Sequence, residues 1–132
     1  MSSGIERINP PELGDPSGFS HAVRAGSALY LAGQTALDEK GTIVGGTVVE
    51  QFERALGNLL TALRAAGGEP GQLVSLTLYI VDIEDYRAQA REIGRVWKRL
   101  AGRHYPAMAA VGVARLWDAE ALIEVQGIAH LG

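Results

Sequence analysis

The stretch Pro106-Ala107-Met108-Ala109-Ala110-Val111-Gly112-Val113, followed after a short loop by Leu122-Ile123-Glu124-Val125-Gln126-Gly127-Ile128-Ala129, governs how this chain is read. Both runs are short, apolar and rich in Val, Ile and Ala, so they predict two strands, over about 107–114 and 120–129. In the second, alternation sets Leu122, Glu124, Gln126 and Ile128 on one face and Ile123 and Val125 on the other. A carboxylate within such a run costs free energy unless it is exposed or paired.

Working towards the N-terminus, Asp82 caps a predicted helix over about 84–101 that Gly102 ends. Tyr86, Ala90, Ile93, Trp97 and Leu100 form its buried stripe. Residues 73–81 read as a buried strand from their β-branched content and length. Thr47 and Glu50 make a capping box, and Val48, Phe52, Leu56, Leu59, Leu60 and Leu63 recur at helical spacing before Gly67-Gly68 stops the helix. Asp38-Glu39-Lys40-Gly41 is a turn, and 20–25 and 28–33 form a hairpin around Gly26-Ser27. Residues 1–17 are rich in Ser, Gly and Pro and read as loop with one short strand, Ile5–Ile8.

This order predicts an α+β domain over 1–132: a single mixed sheet of about six strands with two helices packed on one face. The other sheet face then needs a cover that one chain does not supply, and association is the natural solution.

At 132 residues the chain is long enough for a proper core. The absence of cysteine removes disulfides, thiol nucleophiles and Cys-based zinc sites, which fits a cytoplasmic location. No basic-then-apolar leader opens the chain, and no apolar run reaches the roughly 18–20 residues of a membrane span. A net charge of -3 argues against a nucleic-acid surface. Arg91, Arg95, Lys98, Arg99 and Arg103 cluster near one helix end and read as a solvated face. The spacing of His21, His104 and His130 matches no metal motif, so no metal or other cofactor is expected; His104 and His130 are expected to be exposed.

Read together, Pro106-Ala107-Met108 and 122–129 resemble the C-terminal signature of the Rid/YjgF family, whose deaminases read Pro-Ala-Arg at the first. Gly18-Phe19-Ser20-His21-Ala22-Val23 resembles the family's Gly-Pro-Tyr-Ser-Gln-Ala segment, and Leu29-Tyr30-Leu31-Ala32-Gly33-Gln34 its Phe-x-Ser-Gly-Gln strand end. Gln51 through Gly67 and Leu76 through Tyr86 resemble its first helix and its Lys-Thr-x-x-Phe-x-x-Asp-x-x-Asp-Phe stretch. The resemblance covers nearly the whole chain. It implies the YjgF/chorismate-mutase-like fold, a homotrimer with clefts between subunits, and a small-molecule ligand.

The resemblance also assigns roles. Glu124 matches the glutamate that positions the attacking water; read from the residues alone it is either that or a strand-edge carboxylate paired with Arg or Lys. Met108 stands where the family arginine holds a substrate carboxylate, and a thioether cannot make charge-assisted hydrogen bonds to one. Phe19 and Ala32 replace a tyrosine and a serine, His21 replaces a glutamine and reads as a hydrogen-bonded structural residue or else as an acid or base, and Ala110 occupies a variable position. Backbone donors near Gly33 and Ala109 are placed to hold a substrate oxygen. Arg115, seven residues past Met108, could supply a cation elsewhere in the cleft but is not read as the substitute for the missing arginine.

The functions this leaves open are an imine or enamine deaminase-type hydrolase, poor on 2-iminopropanoate; a trimer that binds a small ligand without turning it over; and, weakest, an endoribonuclease. Glu124 and Met108 are expected to share one pocket built from two chains.

Overall fold

A computed structural model describes residues 4–132. Six strands, β1 (Ile5–Ile8), β2 (Ala22–Ala25), β3 (Ala28–Gln34), β4 (Leu73–Ile80), β5 (Ala107–Gly112) and β6 (Ile123–His130), form one sheet in the order β1-β2-β3-β6-β4-β5. Only β4 and β5 run parallel; every other pair is antiparallel. The expected strands are all present within a few residues of their predicted ends, and β6 lies inside the sheet. Residues 1–3 of the N-terminal loop fall outside the described residues, and Pro11–Leu13 within that loop forms a 3-10 turn.

Helix α1 (Val48–Ala65) begins at Thr47, whose Oγ1 accepts from the Glu50 N–H at 3.1 Å. The Glu50 carboxylate reaches back to the Thr47 hydroxyl and the Gly46 N–H, so the capping box is shifted by one donor from the usual pattern. At the other end Gly67 takes a φ of 88°, and the Gly68 and Gly67 N–H groups reach the Leu63 and Arg64 carbonyls, closing a Schellman motif. The stripe predicted for this helix is buried throughout: Val48, Phe52, Leu56, Leu59, Leu60 and Leu63 are each no more than 2 % exposed. They pack on Leu29, Leu31, Ile123 and Val125 of the central strands.

The second predicted helix is broken. Asp82 caps α2 (Ile83–Ala88), Gln89 leaves the helical region at φ -102° and ψ 11°, and α3 (Ala90–Ala101) follows. The expected stripe holds at Ile93 and Trp97, which are buried, and at Tyr86 and Leu100, which are partly buried against the core; Ala90, just past the break, is exposed, and α3 also buries Val96 and Ala101. Trp97 stacks on Tyr105 with ring centroids 6.1 Å apart.

The helices lie on one face of the sheet, as expected. The strand β4, read as buried, is buried only on that side: Leu76, Leu78 and Ile80 face the core while Ser75, Thr77 and Tyr79 are half-exposed. The other face stays bare. It carries Tyr30, Tyr79, Glu124, Gln126 and Ile128, and the edge strand β5 is exposed along all six residues. Among the described residues no helix is long and apolar enough to cross a membrane.

Candidate functional site

Alternation along β6 is observed as read: Ile123, Val125 and Ala129 are buried under α1, and Glu124, Gln126 and Ile128 look to the bare face. Glu124 pairs across to Tyr79 on β4, and Tyr79 pairs in turn with Val111 on β5. On the opposite side lies Gly33 of β3. A Cβ built on Gly33 would collide with the Glu124 Oε2 and stand 2.8 Å from its Cδ, so the carboxyl fills the place of a side chain. Among the described residues Glu124 makes no hydrogen bond or ion pair, and β6 is no edge strand; the paired edge-carboxylate reading does not hold. Half-burial raises its carboxyl above the ordinary glutamate value.

Beside this row, the hydroxyl of Tyr79 donates to the Gln126 Oε1 at 2.8 Å. Alternation along β6 already sets Gln126 on the face of Glu124, but Tyr79 reaches that face only through the pairing of β6 with β4, two strands more than 40 residues apart, which alternation within either strand cannot reveal.

Register separates the remaining sequence-named residues. Thr77 pairs with both Ala109 and Gln126, so Ala109 shares the bare face with Glu124. Leu76, a core residue, pairs with Met108, and Leu78 with Ala110. A Cβ on Gly112, the next residue of that set, would stand 3.1 Å from Ile83 of α2, which confirms that Met108 and Ala110 point to the helix side. Met108 is nevertheless 45 % exposed, because the helices do not extend over the edge strand. Within one chain, then, Met108 and Glu124 lie on opposite faces of the sheet. The expectation that they line one pocket fails for a single copy, because paired residues share a face: Met108 lies in the row of Leu76 and Gly127, and Glu124 in the row of Tyr79 and Val111, which points the other way.

His21 is fully engaged. Its Nδ1 accepts from the Gln34 side-chain amide at 3.1 Å and its Nε2–H donates to the Gly14 carbonyl at 3.1 Å. Phe19 meets the ring edge-on with centroids 5.3 Å apart, while itself remaining 53 % exposed. The backbone of His21 is tied to Asn9 and to Ala32. The imidazole has no free nitrogen for proton transfer and acts as a strut between the N-terminal loop and β3. The Arg115 guanidinium is turned to the Leu116 and Trp117 carbonyls of its own loop. His104 and His130 are exposed, as read. On α3, Arg95 and Arg99 pair with Glu92 and Glu53, which fits a solvated face. Among the described residues no group of His, Asp and Glu has the arrangement of a metal site.

A groove of about 390 Å³ lies on the helix side, lined by Glu12, Glu50, Glu53, Arg54 and Asn58 among others. None of the candidate site residues named from the sequence lines it, and one chain alone does not enclose the space in front of Glu124.

These features have counterparts among known proteins. Residues 12–131 match the family model described as endoribonuclease L-PSP. A RutC family protein of Pyrococcus horikoshii is 34 % identical over 131 residues, covering 98 % of each chain. A 2-iminobutanoate/2-iminopropanoate deaminase of Capra hircus is 33 % identical over 138 residues, covering 100 % of this chain and 95 % of the relative. Among solved structures, an L-PSP-type protein of Entamoeba histolytica matches with a TM-score of 0.84 at 30 % identity, over 96 % of this chain and 99 % of that one. The match from residue 12 to residue 131 and the fold shared along nearly its full length place this chain in the endoribonuclease L-PSP family, also called Rid/YjgF.

Proposed function

We propose that the chain, working as one domain over 1–132, is a Rid-type hydrolase of a small, uncharged imine or enamine, with its site completed between copies in a homotrimer. The observation that carries this reading is Glu124: a half-buried carboxyl, with no hydrogen-bond or ion-pair partner among the described residues and with raised proton affinity, on an otherwise bare sheet face. Such a group can take a proton from water as it attacks the C=N carbon and return it to the departing nitrogen. The products are a carbonyl compound and ammonia. Association supports the reading on two grounds. It covers the face that bears Tyr30, Val111 and Ile128, and it allows the uncharged edge strand β5 of one copy to approach Glu124 of another. That arrangement would bring Met108 to a site it cannot reach within its own chain.

The neutral substrate follows from the cations. Met108 offers no charge, Arg115 is engaged by its own loop, and Phe19 and Ala32 bring no hydroxyl where the family has one. The Capra hircus relative is named for two iminoacids whose carboxylate is their main binding handle. Losing a charge-assisted contact to that handle costs a few kcal/mol, and each 1.4 kcal/mol is about tenfold. Hydrolysis of 2-iminopropanoate is therefore expected to be slow at best, and Met108→Arg alone to restore little of it.

The same losses support a second reading, a trimer that holds a neutral ligand without turning it over. An assay that couples an imine-generating enzyme to loss of the imine signal separates the two, with wild type, Met108→Arg and Glu124→Ala in parallel. Turnover of an uncharged imine that Glu124→Ala abolishes supports the hydrolase. Saturable binding without turnover supports the binding module, and brisk turnover of 2-iminopropanoate refutes the neutral-substrate assignment.

A further inference from the structure

Gly33 has no backbone need to be glycine. Its φ is not positive, so an L-residue could adopt the same conformation. What excludes a side chain there is Glu124, whose Oε2, Cδ and Cγ all lie where a Cβ and its substituents would stand. The strand is irregular at this point. Leu31 pairs with Gly127 and Gln34 with Val125, so β3 carries one residue more than β6 between the two pairs, a β-bulge. The extra residue delivers Gln34 to the buried side, where it holds His21, and leaves Gly33 beside the carboxyl. Since Glu124 has no hydrogen-bond or ion-pair partner among the described residues, the notch at Gly33 is the one feature found here that sets where its carboxyl rests.

We infer that Gly33 is a positioning residue for Glu124: the missing Cβ admits the carboxyl against the β3 backbone and keeps it half-covered, facing the open sheet surface. This rests on the reading of Glu124 as the proton-handling group. The carboxyl is the free end of a flexible side chain, so a methyl at position 33 is accommodated by swinging it out into water rather than by moving the strand.

Gly33→Ala tests this in the full-length protein. The Glu124 titration, followed by carboxyl ¹³C NMR, is expected to move down towards that of an ordinary exposed glutamate. Turnover of an uncharged imine is expected to fall tenfold or more in kcat with KM little changed. An unaltered Glu124 titration overturns the inference. A second measurement guards against loss of folding: the effect of Gly33→Ala on the urea midpoint, measured in wild type and in Glu124→Ala. With the carboxyl gone the methyl has nothing to displace, so any shift is expected to vanish in the Glu124→Ala background. An equal, substantial shift in both backgrounds overturns the inference. Neither readout needs turnover. The catalytic reading of Glu124 fails separately, if Glu124→Ala keeps the wild-type rate whatever Gly33→Ala does.

Discussion

Gln51 is the side chain whose removal the structure prices most directly. It sits on the first turn of α1, 3 % exposed, and spends its whole amide on three loop groups. Its Nε2 donates to the Gly45 carbonyl at 3.0 Å and to the Glu120 carbonyl at 3.1 Å, and its Oε1 accepts from the Leu122 N–H at 2.8 Å. It thus ties the helix start to the loop that delivers β6, two residues before Glu124. Gln51→Leu keeps much of the volume and removes all three bonds. At about 1 kcal/mol net each the loss is about 3 kcal/mol, and more if water cannot reach the stranded groups, each of which then costs about 1–3 kcal/mol. For a chain of this size that corresponds to a fall in Tm of roughly 10 °C. Urea unfolding gives the free energy, and hydrogen exchange at the Leu122 amide reports the local bond. A loss below about 1 kcal/mol, or unchanged protection at Leu122, would refute the claim that these bonds hold the loop in place.

Three further outcomes are expected. Glu124→Gln should flatten the pH dependence of stability. The raised folded value means that, between the unfolded and folded values, the native state holds more proton and wild type loses stability as pH rises; the variant should match wild type in acid and exceed it near neutrality, and an identical pH profile would contradict this. Trp97, 4 % exposed, has an Nε1–H with no hydrogen-bond partner among the described residues. Trp97→Ala should cost about 3–5 kcal/mol by denaturant unfolding, but Trp97→Phe much less, since it also removes the orphaned donor; equal costs would mean that the donor is satisfied. Thr47→Ala should cost about 0.5–2 kcal/mol through the lost cap, and Thr47→Ser close to nothing, by the same measurement.

How far the sequence reaches can be judged residue by residue. Periodicity fixed the faces of α1 and β6, because the burial of Phe52, Leu56, Ile123 and Val125 follows from spacing along a single element. Local chemistry likewise gave the Thr47 cap, the Asp82 cap and the Gly67 terminus, each settled by atoms within a few residues. The break at Gln89 was not legible. No Pro or Gly marks it, and the stripe Tyr86–Ala90–Ile93 satisfies a continuous helix as well as a broken one. Glu124 stood out as a carboxylate in an apolar run, yet its surroundings did not. The bulge that leaves Gly33 beneath its carboxyl, the Tyr79–Gln126 bond and the separation of Met108 from Glu124 all depend on which strands pair and in what register. A strand's own alternation says only that two faces exist. Which residues meet on a face is decided when distant strands pair, and a shift of one residue reverses every answer, so that part belongs to the tertiary structure alone.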